Sequence, residues 1–112
     1  MAFRIDPRKI TDYLFSDRTR KSAAKNRWFR RVGFHPDSWQ VLEQALLQHP
    51  VVAQLEKTES SPFGQKLTFL CTGLVAPTGK TYCIRSVWQE REGDTWFVTA
   101  YPQDLPDTAV LR

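Results

Sequence analysis

Lys25 interrupts an otherwise apolar stripe. Ala24, Trp28, Phe29 and Val32 recur at helical spacing, and Lys25 precedes the last three by three, four and seven residues. It therefore shares their side of a helix. A lysine so placed has two readings. It can lay its methylenes along apolar surface and put its ammonium in water, or it can be aimed into a groove where the amine meets a phosphate. Arg85 on one strand and Thr99 and Tyr101 on the next make a second candidate group. Alternation puts Cys83, Arg85, Val87 and Gln89 on one face of the third strand and Ile84, Ser86 and Trp88 on the other. In the fourth strand Trp96, Val98 and Ala100 alternate with Phe97, Thr99 and Tyr101. If the Trp96/Val98/Ala100 face joins Ile84 and Trp88 in the core, Arg85, Thr99 and Tyr101 meet on the opposite face. Arginine offers a bidentate fork and the hydroxyls add donors, a phosphate-binding chemistry. The plainer reading is an exposed, hydrogen-bonded sheet surface.

The elements that must position these groups come in two blocks. Asp6-Pro7 opens a first helix, with the carboxylate as cap and proline at the first turn. Ile10, Tyr13 and Leu14 are its stripe, and it is expected to end near Ser16. A second helix is expected from Ser22 to Val32, stopped by Gly33. A third starts at Asp37 or Ser38, with Trp39, Leu42 and Leu46 as its apolar face, and is expected to end at Pro50. Strands are then expected over 51–58, 66–75, 80–90 and 95–101, with turns at Pro77-Thr78-Gly79 and Glu92-Gly93-Asp94. Helices followed by strands argue an α+β fold, with two or three N-terminal helices on a four-stranded antiparallel sheet. The expectation is one domain over 1–112, helical over 6–48, sheet over 51–102, and a frayed tail over 103–112.

Charge is unevenly spread. The 112 residues carry a net +4, and residues 1–36 hold ten Lys/Arg against three Asp/Glu. A basic block of this kind suggests an anionic partner, nucleic acid above all. Arg20, Lys21, Arg27, Arg30 and Arg31 are its candidate RNA-backbone contacts. The alternative is a solvated basic face. The charged N-terminus has no apolar run to serve as a signal peptide, and no stretch approaches a membrane span, so a cytoplasmic protein without a membrane association is expected. In that setting Cys71 and Cys83 are expected to stay reduced, half-buried in strands. Neither they nor His35 and His49 follow a zinc spacing, and no metal or cofactor is expected.

Several strings occur together: Tyr13-Leu14-Phe15, Lys25 before Trp28-Phe29, Gly33-Phe34, Pro36 and Trp39. Pro62-Phe63-Gly64, Pro77-Thr78-Gly79-Lys80, Arg85-Ser86-Val87-Trp88 and Val98-Thr99-Ala100-Tyr101-Pro102 follow. Over residues 9 to 102 this order resembles a small bacterial domain of unknown function, found alone and at the C-termini of polymorphic toxins and phage-related proteins. That family in turn resembles the barnase–EndoU–colicin–RelE group of metal-independent ribonucleases. The resemblance implies a barnase/RelE-like fold, an RNA substrate and a toxin role with a cognate antitoxin as partner. It also implies Lys25, Arg85, Thr99 and Tyr101 as catalytic positions. The family usually has His-Pro between its first two helices; here Thr19 stands where the histidine would fall. Histidine is the usual proton shuttle near neutral pH. Its loss moves the acid–base work elsewhere, or leaves a non-catalytic RNA- or protein-binding module.

Overall fold

The computed structural model describes residues 2–15 and 20–102. Strand β1 is Phe3–Arg4. Helix α1, Pro7–Lys9, continues as a π-helical turn over Ile10–Leu14. Helix α2 is Arg20–Arg31, and a 3-10 turn over Pro36–Ser38 leads into α3, Trp39–Val52. Four strands follow: β2 Gln54–Ser61, β3 Gly64–Val75, β4 Thr81–Arg91 and β5 Asp94–Pro102.

The helix ends follow from local chemistry. The Asp6 side chain accepts the Arg8 backbone N–H at 3.0 Å, and Pro7 takes the first helical position. Helix α2 stops at Gly33, whose φ of +112° suits a residue without Cβ. Gly33 N–H bonds Arg30 C=O at 3.1 Å and Phe34 N–H bonds Phe29 C=O at 3.0 Å. This is a Schellman end, and the Phe29 and Phe34 rings, 6.1 Å apart, supply its apolar contact. Helix α3 does not end at Pro50 but runs through it to Val52. Proline removes one donor near the C-terminus, while its fixed φ remains helical. The first long strand accordingly begins later than expected, at Gln54.

The sheet differs from four antiparallel strands. Among the described residues it has five, in the order β1-β5-β4-β3-β2, and β1 pairs parallel to β5 through Phe3↔Thr95 and Arg4↔Trp96. Two residues carry no periodicity, so β1 is silent in the sequence. Phe3 still packs edge-on against Trp88 and Phe69, at 5.1 and 6.0 Å. The helices cover one face of the sheet. Ile10, Leu14, Trp28, Phe29, Val32, Leu42 and Leu46 join Phe69, Ile84, Trp88, Phe97 and Ala100 in one buried cluster.

That list corrects the expected faces of β5. Phe97 is core, whereas Trp96 and Val98 are only partly buried. The register explains the change: Val87 pairs Thr99 but Trp88 pairs Phe97, so Val98 is an extra residue in a β-bulge. A bulge reverses the alternation on either side of itself. Thr99 and Tyr101 thus keep the face of Arg85, while Trp96 moves to it. The expectation of reduced cysteines is also corrected, because Cys83 is disulfide-bonded. The tail beyond Pro102 lies outside the described residues.

Candidate functional site

On the sheet face opposite the helices, Arg85 pairs Tyr101 and Val87 pairs Thr99 across β4 and β5. Beyond Trp96 the register gives β5 no β1 partner. Helix α2 lies at this edge. Its Trp28, Phe29 and Val32 enter the core, while Lys25 donates to Thr99 Oγ1 at 2.9 Å. The Lys25 ammonium also sits 5.7 Å from the centre of the Tyr101 ring. Lys25 therefore reaches from the core layer around the sheet edge to the open face. The Lys25 amine is thus directed at Thr99 and Tyr101. Lys25, Arg85, Thr99 and Tyr101 form one cluster.

The structure adds a residue that the sequence did not single out. Leu55 pairs Phe69 and Lys57 pairs Thr68, leaving Glu56 as the extra residue of a bulge in β2. The bulge aims Glu56 over β3, where its carboxylate takes both arms of the Arg85 guanidinium, Nε at 2.7 Å and Nη2 at 2.9 Å. Nothing in Gln54-Leu55-Glu56-Lys57-Thr58-Glu59 distinguishes Glu56 from Glu59; the bulge does. The hydrogen bonds from Arg85 hold the Glu56 carboxyl below its ordinary range. The same bonds raise Arg85, and the Tyr101 hydroxyl adds to this by a further hydrogen bond. The side chains remain 26% and 33% exposed, so an incoming anion can reach the guanidinium and compete with the carboxylate.

The basic residues of α2 do not all join this cluster. At 100° per residue, Arg27, Arg30 and Arg31 project about 120° or more from Lys25. All three are exposed; Arg30 bonds Asn26 at 2.7 Å and lies 5.9 Å from the Phe15 ring centre. Thr19 and the side chains of Arg20 and Lys21 lie outside the described residues. His35 is partnered through its backbone to Ser38 in the 3-10 turn. Among the described residues, no three or more His, Cys, Asp or Glu are grouped to hold a metal ion, and no helix is long and apolar enough to cross a membrane.

The family model described as "Domain of unknown function (DUF6883)" matches residues 2–104, nearly the whole chain. The chain belongs to the DUF6883 family. No curated protein is significantly similar to this DUF6883 domain. Among solved structures it resembles a chain of a contact-dependent growth inhibition toxin–immunity protein complex from Klebsiella pneumoniae 342. The TM-score is 0.70, with 21% identity over 88% of this chain and 91% of that one. At that identity the likeness is one of fold.

Proposed function

We propose that this DUF6883 domain is a metal-independent endoribonuclease of toxin type, acting on RNA in the cytoplasm and held in check by an immunity protein. The observation that carries the proposal is the convergence of Lys25, Arg85, Thr99 and Tyr101 on one open face, with Glu56 bound to Arg85. The fold likeness to a chain of a toxin–immunity complex supports the toxin role. The basic charge fits an RNA-directed toxin better than an inhibitor of one.

RNA carries its own nucleophile. In the proposed reaction the 2′-oxygen attacks the adjacent phosphorus and its proton passes to a base. The bond from phosphorus to the 5′-oxygen breaks, and that oxygen takes a proton. The products are a 2′,3′-cyclic phosphate and a 5′-hydroxyl. Arg85 and Lys25 bind the phosphate and stabilise the added charge, and Thr99 donates to a nonbridging oxygen. Tyr101 donates to the leaving oxygen. Glu56 is the proton acceptor that the missing histidine would otherwise supply. Bound to Arg85 it is a weak base; when a phosphate takes the guanidinium fork, the carboxyl returns toward its ordinary basicity.

Purified protein incubated with RNA in EDTA tests this reading. The expected result is cleavage leaving 2′,3′-cyclic phosphate ends, lost in Arg85→Ala at unchanged circular dichroism. Cleavage that persists in Arg85→Ala removes Arg85 from the chemistry. Thr19 in the usual histidine position favours a second reading, a non-catalytic module, for which salt-sensitive RNA binding without cleavage is the signature.

A further inference from the structure

The open face continues beyond the cluster. Gln89 and Arg91 follow Arg85 and Val87 by alternation on β4, and the β5 bulge brings Trp96 opposite Gln89 on the same side. Here lies a hollow of about 380 Å³, lined in part by Lys9, Phe63, Lys66, Gln89, Arg91 and Trp96. Three of these are cations, two are aromatic, and no carboxylate is among the described lining residues. Asp6 and Glu92 lie at an adjoining hollow that shares Lys9, Arg91 and Trp96, and Asp6 is engaged by Arg8 at 2.9 Å. Phe63 stands at the tip of the β2–β3 turn with 70% of its surface exposed, and the Arg91 guanidinium lies 6.0 Å from its ring centre. A phenylalanine so exposed adds little to the core. Aromatic faces interleaved with cations are what a single strand of nucleic acid uses, stacking its bases and neutralising its phosphates.

We infer that this hollow is a second subsite for the same RNA, holding a nucleotide that flanks the scissile phosphate. Phe63 and Trp96 take the base, and Lys66, Arg91 and Lys9 take the adjoining phosphate. The inference rests on the nuclease reading for its register. Arg85 and Gln89 are four residues apart on one strand, about 13 Å, so one extended RNA segment lies along β4 from the cluster to the hollow. The Val98 bulge gives the subsite its aromatic wall, because without it Trp96 would face the core.

The test compares a single-stranded RNA decamer with a dinucleotide that reaches only the cluster. The kcat/KM ratio, decamer over dinucleotide, is expected to fall about ten-fold in Phe63→Ala and in Arg91→Ala. It is expected to stay unchanged in Lys80→Ala, which removes a cation from the β3–β4 turn. An unchanged ratio in the hollow variants, or an equal fall in Lys80→Ala, overturns the subsite. If the wild type cleaves neither substrate, the ribonuclease reading falls, and the hollow is judged by fluorescence anisotropy with a labelled 2′-O-methyl decamer. A Kd raised about ten-fold in Phe63→Ala and Arg91→Ala then supports the subsite. An unchanged Kd overturns it and leaves the hollow to a protein partner.

Discussion

Ser86→Ala is expected to destabilise the protein by about 3 kcal/mol while leaving its open face intact. Ser86 is fully buried on the core side of β4. Trp88 Nε1–H donates to its Oγ at 2.9 Å, and His49 Nδ1 lies 2.7 Å from the same oxygen. Indole is only a donor, so Ser86 accepts from Trp88, and the direction of its bond with His49 follows the histidine tautomer. Trp88 and His49 are themselves fully buried. Removing the hydroxyl takes a partner from each of two groups that water does not reach. Each such loss costs about 1–3 kcal/mol, against a total stability of about 5–15 kcal/mol. For a chain of this length 1 kcal/mol corresponds to about 4 °C, so Tm should fall by about 12 °C. Urea denaturation followed by tryptophan fluorescence gives the free-energy difference through the midpoint at constant m. The double variant His49→Leu/Ser86→Ala should cost less than the sum of the singles, because the two residues share one network. A loss below about 0.5 kcal/mol in Ser86→Ala would show that the buried polar triad carries no net stability and refute the reasoning.

Three further expectations concern the open face and its margin. Glu56→Gln should lower RNA cleavage by about 10²-fold or more if Glu56 is the base, read as kcat at saturating RNA. The carboxyl is held below its ordinary value of 4.5, so its pairing with Arg85 contributes fully above that pH and is lost as pH falls through the lower folded-state value. The stability difference between wild type and Glu56→Gln should accordingly vanish on acidification from neutral pH, as urea titrations at a series of pH values would show. Gly64→Ala should cost about 2 kcal/mol, because φ is +137° and a Cβ would stand 3.0 Å from Glu90 Cβ and 3.2 Å from Glu90 O. A urea midpoint equal to wild type would contradict that estimate.

Much of the fold is written locally. Asp6-Pro7 and Gly33 mark helix ends by their own conformational chemistry, and the spacing of Trp28, Phe29 and Val32 declares a buried face. Lys25 is legible because a charge at a core-facing position needs a partner; the sequence leaves water and a phosphate groove open, and the contact with Thr99 comes only from the structure. Arg85, Thr99 and Tyr101 were grouped on one face by alternation, and they share it in the structure. The route to that grouping was different, since the Val98 bulge exchanges Phe97 and Trp96 between core and surface.

What tertiary structure alone decided are the features that break a local period. The bulge at Glu56 selects one of two similar glutamates and carries it over β3 to Arg85. Strand β1 is two residues long, and its parallel pairing with β5 joins residues 92 positions apart. The disulfide of Cys83 likewise depends on neighbours that spacing does not reveal. Periodicity reports which face a residue takes within one element. A bulge, a distant pairing or a shared ion pair depends on the register between elements, and register is a property of the assembled sheet.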